Sequence, residues 1–559
     1  MSASRPRSRP VISQSIHTRR SFTRPAYSLR SGVVADDTST TGGAAQRIAA
    51  GYATEGGALE LGTVVVDGQV DPAARVRIPL AMLNRHGLVA GATGTGKTKT
   101  LQALAGQLSD AGVPVFLADV KGDLSGMSRA GEDTPRVRAR AEETGDDWTP
   151  TAYPVEFLSL GAKSSATPIR ATLTQFGPIL LSKVLDLNDT QESTLGLIFH
   201  WADQRNLPLL DTKDLRAVIQ HLTSDEGKAD LKGIGGVSSA TAGVILRALV
   251  NLEAAGGDDF FGEPEFDPAD LLRIVDGKGT VTLLELADQS GNPRLFSTFL
   301  MWLLAELFED LPEAGDLDKP KLVFFFDEAH LLFTDASKAF RERIEQTVKL
   351  IRSKGIGVFF CTQLPTDIPN AVLSQLGARV QHALRAFTPE DQAALAKTVK
   401  TYPNTKDYDI EEALTSLGIG EAIVTVLSER GAPTPVAWTR IRAPRSLMAA
   451  LPGADVAVAA QASPLHGKYG TTVDRESAYE LLTARIAEPA PAPAPQDVPP
   501  PAHEPEPEPR RQREEPGFLE KAFESPMVRS FMRSMGTQLA HEVTRGIFGT
   551  ATSTRRRRR

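Results

Sequence analysis

The sequence predicts an α/β fold built on a mainly parallel sheet, with a helical insertion in the core and a further helix after a proline-rich linker. Three observations carry this. First, Gly91-Ala92-Thr93-Gly94-Thr95-Gly96-Lys97-Thr98 matches the phosphate-binding pattern G-x-x-x-x-G-K-[ST] at every position. Second, the loop lies between a short apolar run at 87–90 and a helical run at 100–108, the strand–loop–helix context its chemistry needs. Third, later apolar runs end in polar groups: 322–326 before Asp327 and Glu328, and 358–361 before Thr362 and Gln363. Such runs suit buried parallel strands that deliver side chains to one edge of a sheet.

Along the chain, residues 1–44 read as a disordered basic tail and 45–445 as the nucleotide-binding domain. Short strands at 63–66 and 76–80 lead into the core. Core strands follow at 113–119, 280–286, 322–326, 358–361, 380–386, 422–427 and 435–441, each a β-branched or aromatic run bounded by turn or charge signals. Residues from about 170 to 261 read instead as a helical insertion, with helical spacing at 191–205 and 237–254. The insertion accounts for the 230 residues between Lys97 and Asp327. Residues 446–515 read as a connecting segment and linker, dominated by Ala, Pro and Glu from 487, a composition that cannot bury a core. In 516–549, Val528, Phe531, Met532, Met535, Leu539, Val543 and Ile547 form one apolar stripe on a helix. Residues 550–559 form a second basic tail, closing in Arg555–Arg559.

Composition narrows the function classes. One cysteine, Cys361, excludes an intramolecular disulfide and a cysteine-based zinc site, and a reducing cytoplasm is its natural home. The net charge of −7 does not describe a generally basic nucleic-acid binder, so any grip on DNA must be local. No apolar run is long enough to span a membrane. Arg19-Arg20-Ser21-Phe22 has the look of a twin-arginine signal, but no apolar region follows. The first residues read as a disordered arm or an upstream start, with an amphipathic organellar transit peptide as the alternative.

The candidate site starts at the loop. Backbone N–H groups from Gly91, Ala92, Thr93, Gly94, Thr95, Gly96, Lys97, Thr98 and Lys99 would cradle phosphate oxygens of ATP. Lys97 would reach the β- and γ-phosphates, and Thr98 with Asp327 would hold Mg²⁺. Glu328 would polarise the attacking water. Gln363 would sit beside the γ-phosphate, or simply satisfy loop backbone at a strand end. Asp119 and Lys121, in Asp119-Val120-Lys121-Gly122-Asp123, either act on the Mg²⁺ shell and water or form a structural turn. Arg385 and Arg379 are candidates to reach a neighbouring subunit's γ-phosphate, or have surface and ion-pair roles. Cys361 reads as a small buried hydrophobe.

The letters Asp327-Glu328-Ala329-His330 match the DEAH box of superfamily 2 helicases. No Ser-Ala-Thr motif follows downstream and no Gln-x-x-Gly-Arg-x-Gly-Arg motif is present, though those enzymes need both, and His330 reads as a structural first-turn helix residue. The run Asn84–Thr100, Asp119–Asp123, Asp327–His330 and Cys361-Thr362-Gln363-Leu364-Pro365 together resemble the HerA-like helicase group, and more closely a bacterial subgroup carrying the HerA-like helicase C-terminal domain. The resemblance covers about 51–445. It implies a RecA-like P-loop ATPase core of the HerA/FtsK class, with a catalytic Glu on an additional strand. It also implies a homo-oligomeric ring, usually a hexamer, that drives DNA through its pore, and Arg385 as the match to the family's arginine. Archaeal HerA carries a β-barrel ahead of its motor, and fewer than about fifty orderable residues precede the loop here. The expected function is an ATP-hydrolysing DNA translocase or helicase. The alternative is a regulatory ATPase switch on a protein or membrane-associated assembly, motivated by the last helix and its polyarginine end, which can rest on an anionic membrane. A kinase is set aside, because no second substrate site is visible and Glu328 suits water activation.

Overall fold

The computed structural model describes residues 43–161, 164–231, 235–254, 256–286, 293–333 and 338–487. The basic tails, most of the linker and the helix expected at 516–549 lie outside the described residues.

The strands in chain order are β1 (Ala58–Val66), β2 (Gln69–Pro79), β3 (Gly87–Ala90), β4 (Val115–Asp119), β5 (Val155–Leu160), β6 (Thr167–Ile169), β7 (Ile274–Val275), β8 (Lys278–Gly279), β9 (Val281–Glu285), β10 (Leu322–Phe326), β11 (Ile356–Thr362), β12 (Ala378–Gln381), β13 (Glu421–Thr425) and β14 (Ala437–Ile441). Twelve form one sheet in the order β2-β1-β14-β13-β12-β3-β11-β10-β4-β9-β5-β6, and β7 pairs with β8 as a separate ribbon. From β12 to β6 every pairing is parallel; from β12 outward through β13, β14, β1 and β2 every pairing is antiparallel. The fold is α/β with a mainly parallel sheet, as the apolar runs predict.

The period of a strand explains the layering. Successive side chains point to opposite faces. In β10, Leu322, Phe324 and Phe326 enter one core while Val323 and Phe325 enter the other. In β4, Phe116 and Ala118 part from Val115 and Leu117 in the same way. A strand apolar at every position can therefore only be covered on both faces. The first core holds the helices between β6 and β7, including Leu173–Val184, Asp189–Gln204, Thr212–Thr223 and Ser239–Ala254. Their starts are set by local chemistry: Asn188 with Gln191, and Asp211 with Asp214, form capping boxes. The second core holds the helix Lys97–Asp110 and the antiparallel strands.

Several elements differ from expectation. The strand expected at 380–386 stops at Gln381, because His382 turns inward to bond Thr100 and the Glu421 carbonyl. Strands β5 and β6 were not anticipated. The connecting segment contains three helices, Gly453–Gln461, Pro464–Tyr469 and Ala478–Ala487, that pack into the domain. Tyr469 is fully buried, with its hydroxyl accepting from Asp267 N and donating to Asp270. Ser477 and the Tyr479 amide both bond Asp214, tying the last described helix to Thr212–Thr223.

One contact fixes how closely β3 and β11 approach. A Cβ on Gly87 would lie 2.2 Å from the Phe359 ring. Gly87→Ala is therefore expected to overpack the core by about 1–3 kcal/mol and lower the unfolding midpoint. An unchanged midpoint in a thermal melt would refute the packing assignment.

Candidate functional site

The phosphate loop, Asp119, Asp327, Glu328 and Gln363 converge on the C-terminal edge of the parallel strands. The register sets Thr362 beside Ala90, Phe360 beside Phe326 and Phe326 beside Ala118. The loop after β3, the acids after β10, Gln363 after β11 and Asp119 at the end of β4 thus share one rim.

The loop is shaped by glycine. Gly91, Gly94 and Gly96 have φ of 150°, 81° and 117°, a region side chains rarely adopt. Gly96 is the N-cap of the helix Lys97–Asp110 and offers no side-chain cap. The first N–H groups of that helix have no carbonyl ahead of them to bond, which makes the end a ready anion site. Lys97 is buried and its ammonium donates to the Gly91 carbonyl at 2.7 Å and the Ala92 carbonyl at 3.3 Å. Two neighbours hold the loop: Gly91 N–H donates to Thr362 O and Ala92 N–H to Ala383 O. The Gly91 and Ala92 amides, both expected in the phosphate cradle, are thus already taken by the protein. Lys99 points away, its ammonium donating to the Met448 carbonyl and to Gln102.

A histidine absent from the sequence-based site backs this loop. His382 is fully buried, with Nδ1 donating to the Glu421 carbonyl at 2.8 Å and Nε2 accepting from the Thr100 hydroxyl at 2.9 Å. Burial, with the positive charge of Lys97, pushes its pKa down to about 4, so it stays neutral. Its Cβ would stand 2.5 Å from a Cβ on Gly91. On the other side Gly420 N–H donates to Thr95 O, and Arg140 holds that turn through the Gly420 and Ile441 carbonyls. No local signal marks this backing; Thr100 and His382 are 282 residues apart and Arg140 and Ile441 are 301.

The acids follow β10. Asp327 is 6% exposed and Glu328 7%. Glu328 sits at φ 46°, a strained backbone for a residue with a side chain. Asp327 Oδ1 accepts from Glu328 N–H at 2.9 Å, while Oδ2 is buried without a hydrogen-bond partner. Lys121 donates to Glu328 Oε1 at 2.5 Å; Oε2 has no hydrogen bond and lies 3.4 Å from His330 Nδ1. The two carboxyls respond differently. Burial raises the Asp327 pKa despite the nearby Lys121. Burial also pushes Glu328 up, but the Lys121 hydrogen bond and charge, with His330 and Lys97, outweigh it and leave Glu328 below its ordinary value. The orphaned Asp327 oxygen and the Thr98 hydroxyl at the helix start form a donor set of hard oxygens that fits Mg²⁺, which takes few protein ligands and keeps water and phosphate oxygens.

The remaining candidates separate. Asp119 accepts from the backbone N–H groups of Lys121, Gly122 and Leu124, so it caps its own turn; burial raises its pKa to about 6. Lys121 is carried by that turn to Glu328, a pairing 207 residues long that the sequence left open. Gln363 is exposed at the rim and shares a cavity of about 400 Å³ with His330 and Asp367. Arg385 is exposed and lies against its own chain's loop, Nη2 at 3.4 Å from Thr93 O. Arg379 is at the opposite end of β12 from this rim, donating to Thr401 O. Cys361 is fully buried beside Asp327, and burial raises its thiol pKa.

The DNA double-strand break repair helicase HerA of Sulfurisphaera tokodaii is 22% identical over 369 residues, spanning 65% of this chain and 66% of that relative. The chain thus spans just under two thirds of that relative's length. Among solved structures, the bacterial conjugative coupling protein TrwB is similar with a TM-score of 0.48 and 16% identity, covering 73% of this chain and 94% of that one. VirB4 of Thermoanaerobacter pseudethanolicus is similar with a TM-score of 0.46 and 16% identity, covering 70% and 98%. The family model described as Helicase HerA-like C-terminal matches residues 65–558, and the chain belongs to that family.

Proposed function

We propose that the protein is an ATP-hydrolysing motor that moves DNA. The observation that carries hydrolysis is the meeting of Lys97, Thr98, Asp327 and Glu328 on one sheet edge, with one oxygen of each acid free of hydrogen bonds. In this reading the loop amides and Lys97 bind the phosphates of ATP and draw charge toward them. Thr98 and Asp327 would hold Mg²⁺, which neutralises phosphate charge when bound. Glu328 orients a water through Oε2 and accepts its proton as the water oxygen bonds to the γ-phosphorus. The bond from that phosphorus to the β–γ bridging oxygen breaks, giving ADP, phosphate and a proton returned to solvent. Gln363, exposed at the same rim, would orient the same water. Arg385, 3.4 Å from the Thr93 carbonyl of its own loop, would reach a neighbouring subunit's γ-phosphate in a ring. DNA as the moved polymer is supported by family membership and by the name of the archaeal relative.

Glu328→Gln should lower ATP turnover by about a hundredfold or more while ATP binding persists. Retained turnover would remove Glu328 from the mechanism. DNA at moderate salt should stimulate the wild-type ATPase; no response to any DNA form would favour the regulatory switch over the translocase.

Lys121 generates a pH prediction. A general base must be deprotonated, and Lys121 holds Glu328 below its ordinary pKa. Activity should therefore persist to lower pH than an unassisted buried glutamate allows. Lys121→Met removes the lowering influence and leaves burial, so the acid limb of the kcat profile should move to higher pH. Lys121→Arg should restore part of the shift. A limb that does not move in Lys121→Met would disprove the coupling.

A further inference from the structure

A second cationic feature lies at the other end of the same strands. A cavity of about 440 Å³ opens at the N-terminal edge of β3, β11 and β12, roughly 15 Å along β3 from the phosphate loop. Arg85, Lys349, Arg352 and Arg379 line it, and no Asp or Glu does. Among the described residues none of these four side chains forms an ion pair. The chain as a whole carries −7, so the cavity departs in sign from the molecule around it.

Uncompensated cations gathered at one concavity repel one another and lose hydration, a cost that a bound anion offsets. The crowding registers on the groups themselves. Burial, then the neighbouring Arg85, lower the Arg352 pKa, against a smaller pull from Asp316. Burial, with the charges of Arg352 and Arg85, also holds the buried His86 down to about 4. The cations are carried by rigid elements: Arg85 just before β3, Arg379 in β12, Lys349 near the end of the helix Lys338–Ile351, and Arg352 just beyond it. Arg379 is further aimed by its hydrogen bond to the Thr401 carbonyl at 2.8 Å. Guanidinium forks match phosphate oxygens in pairs, and the volume lies in the range of small-ligand sites.

We propose that this cavity binds a phosphate-rich anion, a free oligophosphate or a stretch of nucleic-acid backbone, at a site separate from the phosphate loop. The inference does not depend on hydrolysis, and its test is built to stand if the ATPase reading fails. Full-length protein carrying Lys97→Ala lacks the loop ammonium. Calorimetry on that protein with inorganic tripolyphosphate, and fluorescence anisotropy with a short single-stranded oligonucleotide, read the two sources separately. At least one probe should bind, once per chain for tripolyphosphate. Adding Lys349→Glu or, separately, Arg352→Gln should weaken that binding about tenfold or more. Lys349 is exposed, so its reversal tests the charge without disturbing a core, and equal melting temperatures check folding. Tripolyphosphate binding that these variants weaken identifies a small-anion site; oligonucleotide binding alone that they weaken identifies a backbone site. Binding of neither probe, or binding that both variants leave unchanged, overturns the proposal.

Discussion

Two carboxylates buried side by side are the constraint on which the rest of the site depends. Asp327 and Glu328 stand where a wholly buried apolar strand stops, with little access to solvent. Adjacent negative charges in such a place repel each other and lose hydration, so burial alone would drive both toward the neutral acid. Lys121 reverses this for Glu328 and only opposes it for Asp327. One acid is thereby kept ready to take a proton. The other retains an unpartnered oxygen that a hard cation would satisfy. The strained backbone at Glu328 belongs to the same arrangement, since it turns the chain sharply at the strand's end.

The phosphate loop is held by a different principle. Its own glycines give it freedom, and its neighbours remove that freedom again. Thr362 and Ala383 fix its first amides, His382 fills the space behind Gly91, and the Gly420 turn holds Thr95. A histidine serves there only while neutral, because a charged imidazole would repel Lys97 and lose its acceptor for Thr100. Burial secures the neutral form across physiological pH. A flexible loop thus becomes a preorganised cradle through contacts from β11, the segment after β12 and the turn before β13.

What could be read in the sequence was local. The loop pattern, the apolar run before Asp327 and the run before Gln363 each contain their own signal within a few residues, and each lies where the sequence analysis placed it. Strand β5, Val-Glu-Phe-Leu-Ser-Leu, was missed because a glutamate and a serine interrupt its apolar run; Glu156 is buried by pairing with Arg273, 117 residues away. The helices within 453–487 were missed because alanine and glycine give a weak apolar stripe. Their burial depends on single anchors such as Tyr469. The pairing of Lys121 with Glu328 and of His382 with Thr100 is a product of sheet order, which brings distant segments to one rim.

Sheet order also explains why net charge is a poor guide to this protein's ligands. Charges act within about 8–10 Å at ordinary ionic strength, so the sum over the chain says little about any one cavity. Strand β3 illustrates the point. At its start stands Arg85, in a cavity lined by cations; at its end begins the loop that carries Lys97. Between them run four buried residues, Gly87 to Ala90, bonded in parallel to β11 and β12. Most of the acids that balance the total are elsewhere on the chain, and of those near the loop Glu328 is paired with Lys121. An acidic protein can therefore set cationic side chains at both ends of one buried strand.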